Sequence, residues 1–402
     1  MASIPLNNIF AMKKKILFIH HGKDLGGAAL SLLFLIERIR PYYNIKVIFI
    51  FNSSVINLFK NKNIEYEILN KSHPLFIHSE AGGASLLNVK KLFRMLFGWL
   101  YFALFYSKKI IIKENPDIIH LNSTFLTEWA YAAKKIGIPV IVHVREPLGK
   151  GCLGLRKSII RKLLKFSATK IIAISKDNAS RINLPELTIV SYNFVDFTEF
   201  NPELFKKKDN VKKRIAYLGG QADIKGFNWL VDSLKYLDKN IEVRFAGYYS
   251  KIKMDLRTKI KMILSERKRR TIRNLSIMRS SPNAVEVGLV TDVPEFLSQC
   301  DMLIFPSTKP HFARPVIEAN AMKIPAIVSI LPGNEEIVEE GVNGLSVKVN
   351  DSLDLAEKIN LACRSKAMLE EMGENGYRMA RSRFNSKKNV SEILNVYEEI
   401  IG

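Results

Sequence analysis

The sequence predicts an α/β protein built from two doubly wound parallel-sheet domains that face each other across a cleft. Short β-branched runs, nearly continuous in apolar residues, alternate with longer amphipathic stretches, which is the sign of βα units. The rhythm breaks once, over the polar and lysine-rich residues 193–213, and then restarts. The 402 residues, 47% hydrophobic and 25% charged, suffice for two full-sized cores, which excludes disordered and fibrous chains.

Residues 1–11 precede Met12 and three lysines and are expected to be an extension outside the fold. They hold no charged region ahead of an apolar one, so no secretory signal is expected. The first domain, 12–195, carries the strand candidates KILFIH (15–20), KVIFIF (46–51), IEYEIL (64–69), DIIHLN (117–122), PVIVHV (139–144) and KIIAIS (170–175). Such runs suit strands covered by helices on both faces. After a linker at 196–213, the second domain, 214–385, offers RIAYLG (214–219), IEVRFAG (241–247), VEVGLV (285–290), DMLIFP (301–306) and PAIVSI (325–330). The amphipathic segment 386–402 is expected to form a helix crossing back to the first domain. In such sheets ligands bind beyond the carboxyl ends of the strands, so the substrate cleft is expected between the domains.

Three cysteines stand far apart with no CxxC spacing. That argues against a disulfide scaffold or a structural zinc site and for a reducing, cytoplasmic setting. The aromatic run Met95–Ser107 has 13 residues. A spanning helix needs roughly 20 apolar residues, so this run is expected not to cross a bilayer.

Chemistry is expected where strands meet glycines. Gly26 and Gly27 follow the first strand and open a helix. Taken alone they fit either a tight strand-to-helix turn or an anion site at a helix N-terminus. The second domain repeats the arrangement with Gly219, Gly220, Lys225 and Gly226. Lys225 reads either as a solvated lysine near a turn or as a cation for a diphosphate. Beyond a strand ending at Pro306, a loop carries His311, Phe312, Ala313 and Arg314, and a helix starting near Pro315 carries Glu318. As isolated residues these would favour capping and surface charge.

The ordered strings LGGQADIKGF (218–227), VRFAG (243–247), VEVGLVTDVPEFLSQCDMLIFPS (285–307), FARPVIEANAMKIPAIVS (312–329) and NEEIVEEGVNGLSV (334–347) resemble those of retaining glycosyltransferases of family four. First-half echoes are PDIIHLNS (116–123), KIIAISK (170–176) and YNFVDFTEF (192–200). The resemblance covers most of the chain and implies the GT-B-type fold of two Rossmann-like domains. It further implies transfer of a sugar from a nucleotide-diphosphate sugar with retention at the anomeric carbon, needing no metal or other cofactor. No Asp-x-Asp motif is present, which agrees.

Residue by residue, the resemblance assigns Lys225 to the diphosphate, Glu318 to the ribose hydroxyls, and the backbone from Phe312 through Ala313 and Arg314 to Pro315 to the donor phosphate and sugar. Gly219 and Gly220 belong to the same donor site. Gly247 and the Gly288–Thr291 loop, with Val290 and Thr291, would enclose the base. Gly26 and Gly27 match a glycine loop near diphosphate and acceptor. Three positions depart from the family pattern. Gly220 stands where an arginine usually accompanies the lysine, and Pro310 replaces the first of two paired glutamates. His311 or Arg314 is the nearest substitute for that contact. Arg145 replaces a first-domain histidine, with His143 and Glu146 beside it. Arg145 is expected either to bring positive charge to the diphosphate, making it catalytic with Lys225 and Glu318, or to pair with Glu146. A non-catalytic relative that only binds a nucleotide sugar or saccharide is the alternative.

The net charge of +22 comes from 61 basic against 39 acidic residues. Residues 150–176 hold eight basic residues and no acid, and 251–279 hold eleven against Asp255 and Glu266. Leu155, Ile159, Leu163 and Phe166 share one helical face among the first group. With Lys90, Lys91 and Arg94 beside the aromatic run, this predicts attachment to an anionic membrane surface, suited to a lipid-linked or surface-polysaccharide acceptor. A buried helix and solvated charge are the competing readings. Nucleic acid is not an expected partner, because the aromatic residues do not interleave with the basic ones.

Overall fold

The computed structural model describes residues 13–22, 26–69, 78–79, 82–83, 89–151, 154–206, 211–251 and 265–402. The expected extension 1–11 and most of the 71–85 loop lie outside the described residues. The chain divides into two compact units, Met1–Ser191 with Val390–Gly402, and Tyr192–Asn389.

In the first unit β1 (Lys15–His20), β2 (Asn44–Phe49) and β3 (Glu65–Ile68) are followed by β4 (His78–Ser79) and β5 (Gly82–Gly83), a short antiparallel pair. Then come β6 (Ile118–Leu121), β7 (Val140–Val144), β8 (Lys170–Ala173) and β9 (Thr188–Val190). Among the described residues these build a parallel sheet of order β3-β2-β1-β6-β7-β8-β9. Phe18 sits opposite both Val47 and His120, so the chain leaves β1 first to one side and later to the other. That reversal opens a ligand position beyond the ends of β1 and β6. The strand β9 was not anticipated: three half-buried residues at a sheet edge carry too little pattern to read.

The second unit contains β10 (Lys213–Tyr217), β11 (Ile241–Ala246), β12 (Ala284–Gly288), β13 (Met302–Phe305), β14 (Ala326–Ser329) and β15 (Gly344–Val347). Their order is β12-β11-β10-β13-β14-β15, again parallel, with the reversal at β10 and β13. Alternation along β10 explains the two-sided burial: Ile215 and Tyr217 join one apolar core and Ala216 the other. Residues 196–213, expected as a linker, group with this unit. Phe200 within them is buried beside Val195 and Phe384, because apolar residues interrupt the polar ones. The C-terminal helix Ser386–Ile401 contributes its last turns to the first unit, where Tyr397 is fully buried and Glu399 pairs with Lys170 at 3.3 Å.

The aromatic run forms part of a longer helical stretch, Val89–Tyr101, a π-helical turn Phe102–Tyr106, and Ser107–Glu114. Its 22 residues Phe93–Glu114 are long and apolar enough to cross a membrane by length and composition, which the 13-residue run was not expected to be. One side nevertheless belongs to the sheet's cover: Phe102, Ile110 and Ile111 are in the core. At its end the buried Glu114 carboxylate binds Lys15 and Lys46, both at 2.9 Å, tying the helix to β1 and β2.

Burial by itself raises the Glu114 pKa, but hydrogen bonds and charge from Lys46 and Lys15 outweigh it and leave the value below the ordinary 4.5. A carboxylate lowered on folding stabilises the protein above its unfolded pKa, and that stability is lost as pH falls through the folded value. Glu114→Gln is therefore expected to cost on the order of 3 kcal/mol at neutral pH. Denaturant titrations at a series of pH values should show this deficit shrinking below the ordinary 4.5. A deficit of equal size at pH 7 and pH 3 would contradict the assignment.

Candidate functional site

Each sheet reversal carries a polar cluster. In the first unit, β1 ends in His20, β6 runs into Asn122, Ser123 and Thr124, and β7 runs into Arg145 and Glu146. Arg145 Nε donates to Asn122 Oδ1 at 2.8 Å, and Arg145 Nη2 donates to His143 Nδ1 at 3.4 Å. His143 Nδ1 also lies 3.1 Å from His120 Nε2, and His120 Nδ1 lies 2.7 Å from the Tyr397 hydroxyl. A guanidinium has donors only, so His143 Nδ1 must accept. His120 Nε2 must then donate, and in the neutral ring Tyr397 donates to His120 Nδ1. Burial, and next the charge of Arg145, hold both histidines well below 6.5 and hence neutral.

Glu146 turns to a different task. Its Oε1 accepts from Ser123 Oγ at 2.5 Å, Thr124 N at 2.9 Å and Thr124 Oγ1 at 2.7 Å, fixing the loop after β6. Burial raises its pKa, and those hydrogen bonds together with Arg145 oppose the rise. Gly26 caps the helix Gly27–Ile39 in an extended conformation without a side-chain bond, and its carbonyl accepts from the backbone N–H of Ala29 at 3.1 Å. The cluster thus brings together Arg145, His143 and Glu146. It adds His20, His120, Asn122, Ser123, Thr124 and Tyr397, which sequence reasoning missed. HHG begins with the last residue of β1 and HLNS spans the end of β6, where polar residues interrupt apolar runs, and that interruption was the available signal.

In the second unit three glycine turns meet at the ends of β10, β11 and β12. Gly220 N donates to Ala246 O at 3.2 Å and Gly247 N to Gly288 O at 2.7 Å. Gly220 has φ +58°, and a Cβ on Gly247 would lie 2.6 Å from Gly220 Cα. Gly219 lies over the Tyr217 ring. The result is a shelf of bare backbone. Val290 packs against the adjoining core and Thr291 is exposed.

Lys225 ends a short 3₁₀ turn, Asp223–Lys225, beside this shelf. Thr308 N donates to Ile224 O at 2.9 Å and the Tyr217 hydroxyl to Lys225 O at 3.3 Å, which pins the turn to the loop after β13. Gly226 has φ +87° and approaches so closely that a Cβ there would lie 1.9 Å from Pro306 O. Lys225 is half-buried, and burial lowers its pKa. Its ammonium has no carboxylate partner among the described residues. His311 stacks on Phe305 with centroids 5.6 Å apart. Desolvation of the ring and then the charge of Lys225 lower its pKa to about 4, although the residue as a whole keeps an exposed edge.

The helix Arg314–Ala321 begins with Pro315 in its first turn and no side-chain cap at Ala313. Pro315 has no N–H to satisfy, and Val316 N donates to Ala313 O at 3.1 Å. Phe312 stacks on Tyr192 at 5.9 Å. Glu318 Oε1 accepts from Arg314 Nε at 2.6 Å, one turn away, with both side chains buried. Burial raises the Glu318 pKa against the pull of Arg314. Among the described residues no group of three His, Cys, Asp or Glu side chains is placed to hold a metal ion.

Residues 199–379 match the family described as glycosyl transferases group 1, and residues 65–199 match glycosyltransferase family 4. An uncharacterized glycosyltransferase of Methanocaldococcus jannaschii is 28% identical over 360 residues, 86% of this chain and 93% of the relative. CapM of Staphylococcus aureus, a capsular polysaccharide biosynthesis glycosyltransferase, is 24% identical over 314 residues, 72% of this chain and 78% of its own. The Anabaena protein HepE, solved in complex with UDP and glucose, superposes with a TM-score of 0.74 at 20% identity, over 96% of this chain and 99% of its own. The two matched regions together run from residue 65 to 379, and the chain belongs to glycosyltransferase family four, with the GT-B fold.

The left-handed backbone at Gly220 gives a physical reason for the missing arginine. Gly220→Arg is expected to lower stability by about 1–2 kcal/mol, from backbone strain and from a Cβ pressed against Tyr248. Thermal unfolding of the variant checks this; unchanged or raised stability would show that the loop accepts the side chain.

Proposed function

We propose that the protein transfers a sugar from a nucleotide-diphosphate sugar to a saccharide acceptor, with retention of anomeric configuration and without a metal or other cofactor. The observation that carries this reading is Lys225: a half-buried ammonium with no carboxylate partner among the described residues, at the reversal of the second sheet. Departure of the nucleotide concentrates negative charge on the diphosphate. A preorganised cation and the positive N-terminal end of the helix Arg314–Ala321 stabilise that charge more than they stabilise the ground state. The Gly219, Gly220, Gly247 and Val290–Thr291 region receives the base in this reading, and Glu318, held by Arg314, offers its carboxylate to the ribose hydroxyls. Gly26 and Gly27 leave room for the acceptor. Glu146 is committed to Ser123 and Thr124, so it serves to position the loop, and a front-face reaction needs no enzymatic nucleophile.

Arg145→Ala and Lys225→Ala are each expected to lower kcat roughly tenfold to a hundredfold, the value of one charge-assisted contact. Steady-state turnover of nucleotide sugars, with thermal unfolding alongside, tests this. Near-wild-type turnover in both variants would remove the diphosphate role.

The acceptor in this reading is a lipid-linked saccharide or growing surface polysaccharide, met at the cytoplasmic face of an anionic membrane. Its support is an exposed apolar face on the first unit. Phe97 and Phe105 are 63% and 65% exposed, and Leu155, 64% exposed, continues the face on the helix Leu155–Ser167. That helix has two apolar stripes: Ile160 and Leu164 are buried, while Leu155, Ile159 and Phe166 face water. Tyr131 bridges the two helices, with its ring 5.6 Å from Trp99 and 5.5 Å from Phe166. Arg94, Lys108, Lys109, Lys162 and Lys165 flank the apolar residues and are exposed, the combination an anionic interface attracts. The basic helix Glu266–Ser280 differs: Arg270 and Arg273 pair with Asp232, and Arg279 with Glu286. Nucleic acid has no part in this reading.

Sedimentation with phosphatidylglycerol vesicles should pellet the wild type at low salt and release it at high salt. The double variant Phe97→Ser, Phe105→Ser should stay in solution. Equal binding to neutral vesicles, or undiminished binding of the variant, would sink the membrane assignment.

A further inference from the structure

Arg145 also fixes the polarity of the hydrogen-bond chain on its other side, and that chain ends in a buried donor with no partner among the described residues. Arg145 Nε, which can only donate, meets Asn122 Oδ1 at 2.8 Å. The Asn122 amide is thereby oriented: its Nδ2 faces Ala28 O at 3.1 Å and His20 Nδ1 at 3.0 Å. An amide nitrogen donates, so His20 Nδ1 accepts and carries no proton. Burial, then His21, then Arg145 lower the His20 pKa to about 3, so the ring is neutral and its one proton sits on Nε2. His20 is 1% exposed, and its Nε2 has no hydrogen-bond partner among the described residues.

A buried N–H without a partner is rare and calls for an explanation. Here the surroundings supply one. His20 is the last residue of β1, at the reversal of the first sheet, where ligands of such folds bind. Gly22 lies directly against the free nitrogen: a Cβ at that position would fall 2.6 Å from Nε2. Only glycine fits there without a side chain meeting that nitrogen. Gly26 and Gly27, the next described residues along the chain, open the following helix.

We propose that His20 is a binding residue of the first unit, its Nε2–H prepared to donate to an oxygen of a saccharide or of a phosphate attached to it. The proposal rests on the glycosyl-transfer reading for the class of ligand, and on the Arg145–Asn122–His20 chain for the direction of the bond. No proton is transferred: the ring stays neutral and gains a partner.

Long-range ¹⁵N spectra of the full chain labelled at histidine test the prepared state directly. The expected result at pH 7 is a His20 ring protonated at Nε2 and bare at Nδ1. A ring protonated at Nδ1 would overturn the proposal. Titration with inorganic pyrophosphate, glucose and UDP-glucose in separate arms should move the Nε2 signal in at least one, which tells a phosphate oxygen from a sugar oxygen. Silence in all three overturns it. In turnover assays, His20→Phe should lose roughly tenfold to a hundredfold in kcat/KM. His20→Gln, whose amide can accept from Asn122 and donate onward, should recover most of the loss. Wild-type kcat/KM in a folded His20→Phe protein is the contrary result. If the wild type turns over no nucleotide sugar, the glycosyl-transfer reading fails, while a pyrophosphate- or glucose-dependent His20 signal would still establish the site.

Discussion

A guanidinium can give hydrogen bonds but never take one, and in the first unit this single restriction orders everything around it. Arg145 reaches Asn122 in one direction and His143 in the other. From His143 the order passes to His120 and to Tyr397 on the C-terminal helix; from Asn122 it passes to His20. Three histidines that would each have two tautomers in isolation are left with one. The buried location makes this binding, because a mismatched donor pair in low dielectric has no water to relieve it. The same arrangement suits a cation: Asn122 and the neutral ring of His143 accept from it, the Glu146 carboxylate lies within its field, and the neutrality of His143 and His120 is itself enforced by burial and by Arg145.

The second unit solves its problem with backbone. At the ends of β10 to β12 close approach of backbone to backbone is obtained by removing side chains. Gly220 and Gly247 touch almost Cα to Cα, and Gly226 presses on Pro306. Tyr217 and Thr308 then hold the Asp223–Lys225 turn by its carbonyls, so the position of Lys225 depends on packing between β10 and β13. Glycine at 220 is therefore a packing requirement of this loop. An arginine there would have to be reconciled with a left-handed backbone as well as with charge.

Much of this was legible in the sequence, and the rest was hidden for identifiable reasons. The parallel strands announced themselves because helices cover both faces, so strands such as VIVHV read as unbroken apolar runs. The edge strand β9 and the glycine-led β15 were too short and too mixed to do so. Lys225, Glu318 and the glycines could be singled out by spacing. Yet spacing did not show that Glu318 is bound by Arg314, or that Glu146 clamps Ser123 and Thr124, since each depends on which rotamer the packing allows. Tyr397 was unreadable in principle: it stands 277 residues from His120, and only the path of the C-terminal helix joins them.

The surplus of positive charge divides along the same physical line. Where arginines face acids, as Arg270 faces Asp232 and Arg279 faces Glu286, the pairs satisfy one another and little attraction is left for a partner. Along Phe93–Glu114, Lys113 pairs with Glu67, but exposed Lys108 and Lys109 stand beside the exposed aromatic residues Phe97 and Phe105. A soluble protein rarely leaves both unsatisfied side by side, because solvated charge needs no apolar neighbour and an apolar patch is costly in water. In the proposed reading an anionic bilayer would satisfy both at once, the headgroups taking the lysines and the acyl boundary the phenylalanines. Glu114, bound to Lys15 and Lys46, anchors one end of that helical run in the fold while the opposite face remains outward. In that proposed reading the combination suits a helix lying on a membrane better than one crossing it.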